Sequence, residues 1–395
     1  MIDIHQAVLS ILKAFINDQK NTVIPDISDW KKFNRLAEIN SVSGIVGYVF
    51  NQSKADGVPA ELREKYNGEF LSTIAITTMR DEEMKSLVSL LNKNGIDHLL
   101  FKGYVVKDLY TVPELRTFGD IDFAIKPENR RQCNDLLCCN GYQLLDDWEP
   151  VYSYEKNVEH YEVHTELLDS NINNNYDYQA YFRDFWTHSE CTGQHTYMLE
   201  PGYHLLYLLM HLAKHLYGSG AGIRMYLDIA FYLRANLESI DWALFRKEIQ
   251  KLKIDKFVNT VFTAIEMWFG TDSPIPLEDI DAGFMDEFLT FTLNGGVFGF
   301  ESKASKLSQV RKNSRGQSVK RADTLRKRAF PSADTIKSRY TYLDSKPWLL
   351  PVAWVHRFFK KKGTTVGYLE ESKSILKTNK NDIIELNDFY RKIGI

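Results

Sequence analysis

Apolar positions recur at helical spacing through the first quarter of the chain. Ala7, Ile11, Leu12 and Phe15 share one face, and the pattern continues over 29–50 and 60–95, where Met79, Met84, Leu87 and Leu91 supply a stripe. Residues 1–95 are therefore predicted to be helical. The period changes at Gly95. Asp97-His98-Leu99-Leu100-Phe101 is a short apolar run between Gly95 and Gly103, as expected of a buried strand. A short helix over 104–110, a loop over 111–119 and a second strand over 120–126 follow. Pro127 and Glu128 open a helix through Cys139, because proline suits the first helical turn. Asn140-Gly141 ends it. Strand-like segments then cover 142–147, 150–155 and 159–167.

Helical periodicity returns from Pro201 to Trp268 and carries His204, His211 and His215. Residues 272–300 read as a loop and another helix. The segment 301–330 holds ten Lys/Arg against Glu301 and Asp323, with few large apolar residues, a composition expected of a mobile stretch. Residues 346–362 are apolar and aromatic with a basic end, and a last helix is predicted over 366–393. The expected fold class is α+β: a small mixed β-sheet with helices, flanked by helical N- and C-terminal regions. The expected divisions are 1–95 (helical), 96–200 (the α/β core), 201–300 (helices shaping a cleft) and 301–395 (basic linker and C-terminal helices).

A net charge of −3 over 395 residues singles out no partner. The N-terminus has an amphipathic pattern without a basic leader and long apolar core, and no window of 18 uninterrupted apolar residues occurs. Cys133, Cys138, Cys139 and Cys191 lack C-x-x-C spacing, which fits a reducing compartment. The expected location is cytoplasmic.

Candidate chemistry centres on Gly119-Asp120-Ile121-Asp122-Phe123. Residues i and i+2 of a strand point to one face, so Asp120 and Asp122 project together. Carboxylates that close repel unless a cation lies between them, and a divalent metal is the natural candidate. Tyr161-Glu162-Val163-His164 alternates in the same way, making Glu162 a third ligand or a general base and His164 a phosphate or substrate contact. Gly103 permits a tight turn where phosphate can approach the backbone. His211 and His215 share a helix face, but HLAKH lacks the glutamate of a zinc-protease helix. Arg224 and Asp228, four apart, are placed to pair with each other.

KGYVVKDLY, ELRTFGDIDFAI, YEVHTEL and HLAKH together resemble the uncharacterised bacterial nucleotidyltransferase family often encoded among surface-polysaccharide genes. The resemblance is continuous over about 97–235. It implies an enzyme that moves a nucleoside monophosphate from a nucleoside triphosphate to a small-molecule or glycan-precursor acceptor, releasing pyrophosphate. It implies Mg2+, with Mn2+ as a substitute, on Asp120, Asp122 and Glu162. It also implies nucleotide contacts from Lys102, Gly103, Tyr104, Arg116, His164, His211 and His215. Two positions depart from the pattern. Tyr104 stands where the superfamily has a second Gly or a Ser, and Glu162 stands where Asp is usual.

Kinase-type phosphoryl transfer could use the same residues. The two departures suit a catalytically degenerate, nucleotide-binding scaffold. A toxin-like enzyme acting on tRNA would hold RNA on 301–330, although no nucleic-acid-binding module is recognisable. Residues 301–362, with Trp348, Trp354, Phe358, Phe359 and Lys360 to Lys362, are also candidates for peripheral membrane contact.

Overall fold

A computed structural model describes residues 3–53, 57–117, 119–157, 159–168, 172, 176–218, 220–297, 330, 332, 336, 340, 342–360 and 380–395. Four helices open the chain: α1 (Ile4–Ile16), α2 (Trp30–Ile39), α3 (Ser43–Gln52) and α4 (Ala60–Lys93). Asp3 caps α1 by accepting from the His5 N–H, and Asp29 caps α2 by accepting from the Lys32 N–H. Gly47 brings α3 onto α4, since a Cβ there would lie 2.1 Å from the Tyr66 carbonyl oxygen. The 34 residues of α4 serve two cores. Tyr66 belongs to the helical core, whereas Met84, Leu87 and Leu91 lie beneath the sheet. Met79, predicted to join that stripe, falls between the two and is 70% exposed.

Seven strands form one sheet: β1 (His98–Leu100), β2 (Ile121–Ile125), β3 (Gln143–Trp148), β4 (Val151–Lys156), β5 (Glu159–His164), β6 (Ser189–Gly193) and β7 (Thr196–Leu199). Their order is β3-β4-β5-β2-β1-β7-β6. β2 pairs antiparallel with β1 but parallel with β5, and β1 pairs parallel with β7, so the sheet is mixed. Between the strands lie α5 (Gly103–Lys107), α6 (Arg130–Cys139) and α7 (Tyr178–Phe182). The β6–β7 hairpin is an addition to the expected sheet; its polar sequence, SECTGQHTYML, alternates too weakly to announce it.

Strand alternation gives the sheet two different faces. Ile121, Phe123 and Ile125 of β2 join Leu100, Tyr161 and Val163 in the core shared with α4 and with Cys133 and Leu137 of α6. Burying each such side chain fully contributes about 1.5–3 kcal/mol. On the other face Leu99, Phe101 and Ala124 join the helical core. Asp122, Glu162 and His164 share that face near the strand ends.

Opposite them stand α8 (Pro201–Gly218) and α9 (Ile223–Asn236), backed by α10 (Trp242–Lys251), α11 (Asp255–Phe269) and α12 (Ala282–Gly295). α13 (Tyr342–Ser345), α14 (Leu350–Lys360) and α15 (Lys380–Ile393) follow. Phe389 of α15 packs on Phe291 of α12 with ring centroids 4.5 Å apart. Residues 301–329 and 366–379, including most of the basic segment and the start of the expected last helix, lie outside the described residues. No helix among the described residues is long and apolar enough to cross a membrane.

Candidate active site

The parallel pairing of β2 with β5 builds the site. It sets Asp122 beside Glu162 and Ala124 beside His164. One oxygen each from Asp122 and Glu162, and one ring nitrogen from His164, lie within 4.8 Å of one another. Asp120, just before β2, lines the same cleft with an exposed side chain but stays outside that tight group. The register extends outward from Glu162 to Ser153 and then Asp146, and both also line the cleft. Sequence reading passed over these two, because they declare themselves only when same-face positions are followed from strand to strand.

Lys102 reaches into the acidic group from the turn after β1. Its Nζ donates to Asp122 Oδ1 at 2.6 Å and lies 3.4 Å from His164 Nε2. The same His164 nitrogen is 2.9 Å from Asp122 Oδ1 and 3.4 Å from Glu162 Oε2. The short contact to a carboxylate assigns the proton to Nε2, so His164 donates to Asp122. Nδ1 is then a bare acceptor, and it is buried without a partner among the described residues. Moving the proton there to free Nε2 for a metal would bury an unpaired N–H, which is costly. His164 is thus better suited to orienting Asp122 than to ligating. The edge of Phe101 packs against its ring at 5.2 Å.

The two aspartates differ electrostatically. Burial works to raise the Asp122 carboxyl, but the Lys102 charge and the His164 hydrogen bond outweigh it and hold it well below the usual range. Asp120 goes the other way, raised by desolvation in the cleft and then by the charges of Glu162 and Asp122. Burial would lower Lys102, yet the Asp122 charge keeps it raised and ionised. Three carboxylates therefore face one ammonium. That surplus of oxygen donors and negative charge fits a hard divalent cation on Asp120, Asp122 and Glu162.

The cleft encloses about 490 Å3, and its far wall is basic. His211, Lys214 and His215 of α8 and Arg224 of α9 line it. His211 and His215 pack edge to face at 4.6 Å, and burial, then the nearby His215 charge, push His211 well below the ordinary imidazole value. Arg224 is lowered to about 10 by burial and by Arg116, while its Nη1 donates to Thr117 Oγ1 at 2.7 Å.

Two expectations need correction and one needs narrowing. Arg116, expected to contact the nucleotide, lines the cleft, but its guanidinium is already engaged: its Nε and Nη2 donate to Asp228 at 3.1 and 2.6 Å, and Nη1 donates to the Thr117 carbonyl. Asp228 thus pairs with Arg116 in place of Arg224, and it also accepts from the Tyr110 hydroxyl at 2.7 Å. Gly103 matters for this reason too, since a Cβ there would fall 2.1 Å from Arg116 Nη1. The Tyr104 side chain packs against the core beneath the sheet, with Lys107 Nζ 5.0 Å from its ring centroid, and does not line the cleft. Lys102, Gly103, Arg116, His164, His211 and His215 do line it.

Residues 26–270, more than half of the chain, match the model of a family described as uncharacterised nucleotidyltransferase. Searches of curated proteins and of solved structures return no match. The matched span contains the turn after β1, the β2–β5 acids and both helices of the basic wall. The chain belongs to this nucleotidyltransferase family and is an enzyme of that type, acting on a nucleoside triphosphate.

Proposed function

We propose that the enzyme transfers a nucleoside monophosphate to a hydroxyl or phosphate oxygen of a small molecule or glycan precursor, with Mg2+ as its metal. The observation that carries this reading is the register setting Asp122 beside Glu162, with Asp120 at the cleft and a basic wall opposite. Bound on Asp120, Asp122 and Glu162, the metal would neutralise phosphate charge and orient the triphosphate. Lys102, Lys214 and Arg224 would neutralise the remaining phosphate oxygens. His164 keeps Asp122 oriented and ionised. The acceptor oxygen attacks the α-phosphorus, the bond to the β-phosphate oxygen breaks, and pyrophosphate leaves. Where Asp120 and Asp122 alone hold the metal, Glu162, whose side chain is 34% exposed, would instead take the acceptor's proton.

The test is product analysis with Mg2+, a panel of triphosphates and candidate acceptors. Pyrophosphate release supports nucleotidyl transfer, whereas a nucleoside diphosphate product would make the enzyme a kinase. Metal-dependent triphosphate binding without turnover would leave the nucleotide-binding scaffold, and no such binding by the folded protein would overturn the proposal.

We also propose peripheral contact with an anionic membrane. Trp348, just before α14, and Val352 and Val355 on α14 are 74%, 54% and 57% exposed, although Ala353 and Trp354 pack on Ile336, Tyr340 and Leu343. Arg357 and Lys360 to Lys362 follow in sequence, a charge suited to acidic headgroups. Co-sedimentation with phosphatidylserine vesicles, lost in Trp348→Ser, is the expected result. Equal sedimentation with neutral vesicles, or none with either, would count against it.

A further inference from the structure

Lys102 combines two features that ordinary packing does not require together. Its backbone is left-handed, at φ 57° and ψ −138°, where glycine sits at no steric cost. Its ammonium nevertheless lies 2.6 Å from the carboxylate expected to hold a metal. A lysine kept in a glycine-like conformation indicates that the side chain carries the function.

We propose that Lys102 is a place-holding counter-ion: its ammonium neutralises Asp122 until a metal–triphosphate arrives, and then passes to the triphosphate. The inference rests on the metal–nucleotide reading above. A carboxylate oxygen that binds Mg2+ does so at about 2.0–2.1 Å. An ion on Asp122 Oδ1 and an ammonium 2.6 Å from that same oxygen would repel strongly, so the two occupy the position in turn. Lys102 can leave without backbone motion, because four methylenes carry its charge. On leaving, it faces a wall of His211, Lys214, His215 and Arg224, whose one carboxylate among the described residues, Asp228, is already held by Arg116 and Tyr110. The triphosphate supplies the missing anion. Free metal therefore displaces Lys102 at a cost, whereas metal–nucleotide brings the cation and the anion together. Metal and triphosphate become thermodynamically coupled through one side chain.

The experiment measures Mn2+ binding by electron paramagnetic resonance, with Mn2+ alone and with Mn2+ plus a non-hydrolysable triphosphate, on the wild type, Lys102→Met and Asp122→Asn. Lys102→Met should bind free Mn2+ about tenfold more tightly and the Mn2+–triphosphate about tenfold more weakly, an opposite change from the loss of one charge. Free Mn2+ affinity that is unchanged or weaker in Lys102→Met overturns the inference. A second readout uses only the wild type: acylation of Lys102 by an amine-reactive reagent, located by mass spectrometry. Mn2+ alone should raise labelling, and Mn2+–triphosphate should suppress it. Labelling unaffected by Mn2+ alone overturns the inference even where the variants fail to fold. Binding abolished by Asp122→Asn but insensitive to Lys102→Met leaves the metal site standing and removes only the place-holder. No Mn2+ binding to the wild type in either form removes both.

Discussion

Asp120 and Asp122 stand two residues apart beside the same cleft, yet Lys102 and His164 both hydrogen-bond Asp122, whereas on Asp120 burial and the charges of Glu162 and Asp122 outweigh the attraction of Lys102 and His160. Equal chemistry in sequence becomes opposite electrostatics in the fold, and the two respond to neutralisation with opposite signs.

Asp122→Asn should abolish turnover and destabilise the protein by about 2–4 kcal/mol, because Lys102 is left buried without its partner. The depressed Asp122 value means that its stabilisation is present above the ordinary carboxylate value, 3.8, and is lost as pH falls through the lower folded value. Asp120→Asn should also remove turnover but stabilise at pH 7, by less than about 1 kcal/mol because its exposure screens the repulsion. The raised Asp120 value puts that gain above pH 3.8, growing as pH rises through the folded value. Urea denaturation at pH 7 checks both signs, and equal shifts would contradict the electrostatic distinction.

Arg116→Met should cost about 3–5 kcal/mol, since Asp228 would remain buried with only the Tyr110 hydroxyl. The double variant Arg116→Met/Asp228→Leu should recover most of that loss. A double variant as unstable as the single one in urea would mean that the pair's worth is not electrostatic.

Gly103→Ala should lower stability by about 1–3 kcal/mol, as the added methyl drives against a guanidinium already held by Asp228. Differential scanning calorimetry measures this. A melting temperature equal to the wild type would show that Arg116 can move aside freely.

His204 on α8 is 1% exposed, and burial lowers it to about 3 from an ordinary value of 6.5. The unfolded chain takes up a proton below pH 6.5 that the folded chain refuses, so stability falls as pH drops from 6.5 towards 3. Between pH 7 and 5, His204→Leu should reduce the loss of stability by about 2 kcal/mol. An unchanged pH profile would show that the folded protein protonates this ring.

Local pattern made much of this architecture legible. Gly95, Gly103, Pro127 and Asn140-Gly141 punctuate the chain where β1, α5 and α6 begin or end, and alternation marks β2 and β5. What escaped depends on distance along the chain. Arg116 finds Asp228 across 112 residues, and no local signal prefers that partner to Arg224, which lies four residues from Asp228. Asp146 and Ser153 join the cleft through strand order, which alternation does not specify. Tyr104 was placed by its neighbour Gly103, but α5 turns its ring to the other side of the sheet.

The Arg116–Asp228 joint has a consequence for how the protein is made. A ribosome adding about 5–20 residues per second completes β2 roughly 5 to 20 s before Asp228 exists to hold the loop that precedes that strand. During that interval Arg116 has no carboxylate at its destined position, and the histidine-bearing wall is not yet complete. A nascent chain released early would carry the paired acids without the cleft that makes them an enzyme. Truncated translation products are therefore expected to be inert towards nucleotides, so their release would spare the cell an unregulated transferase.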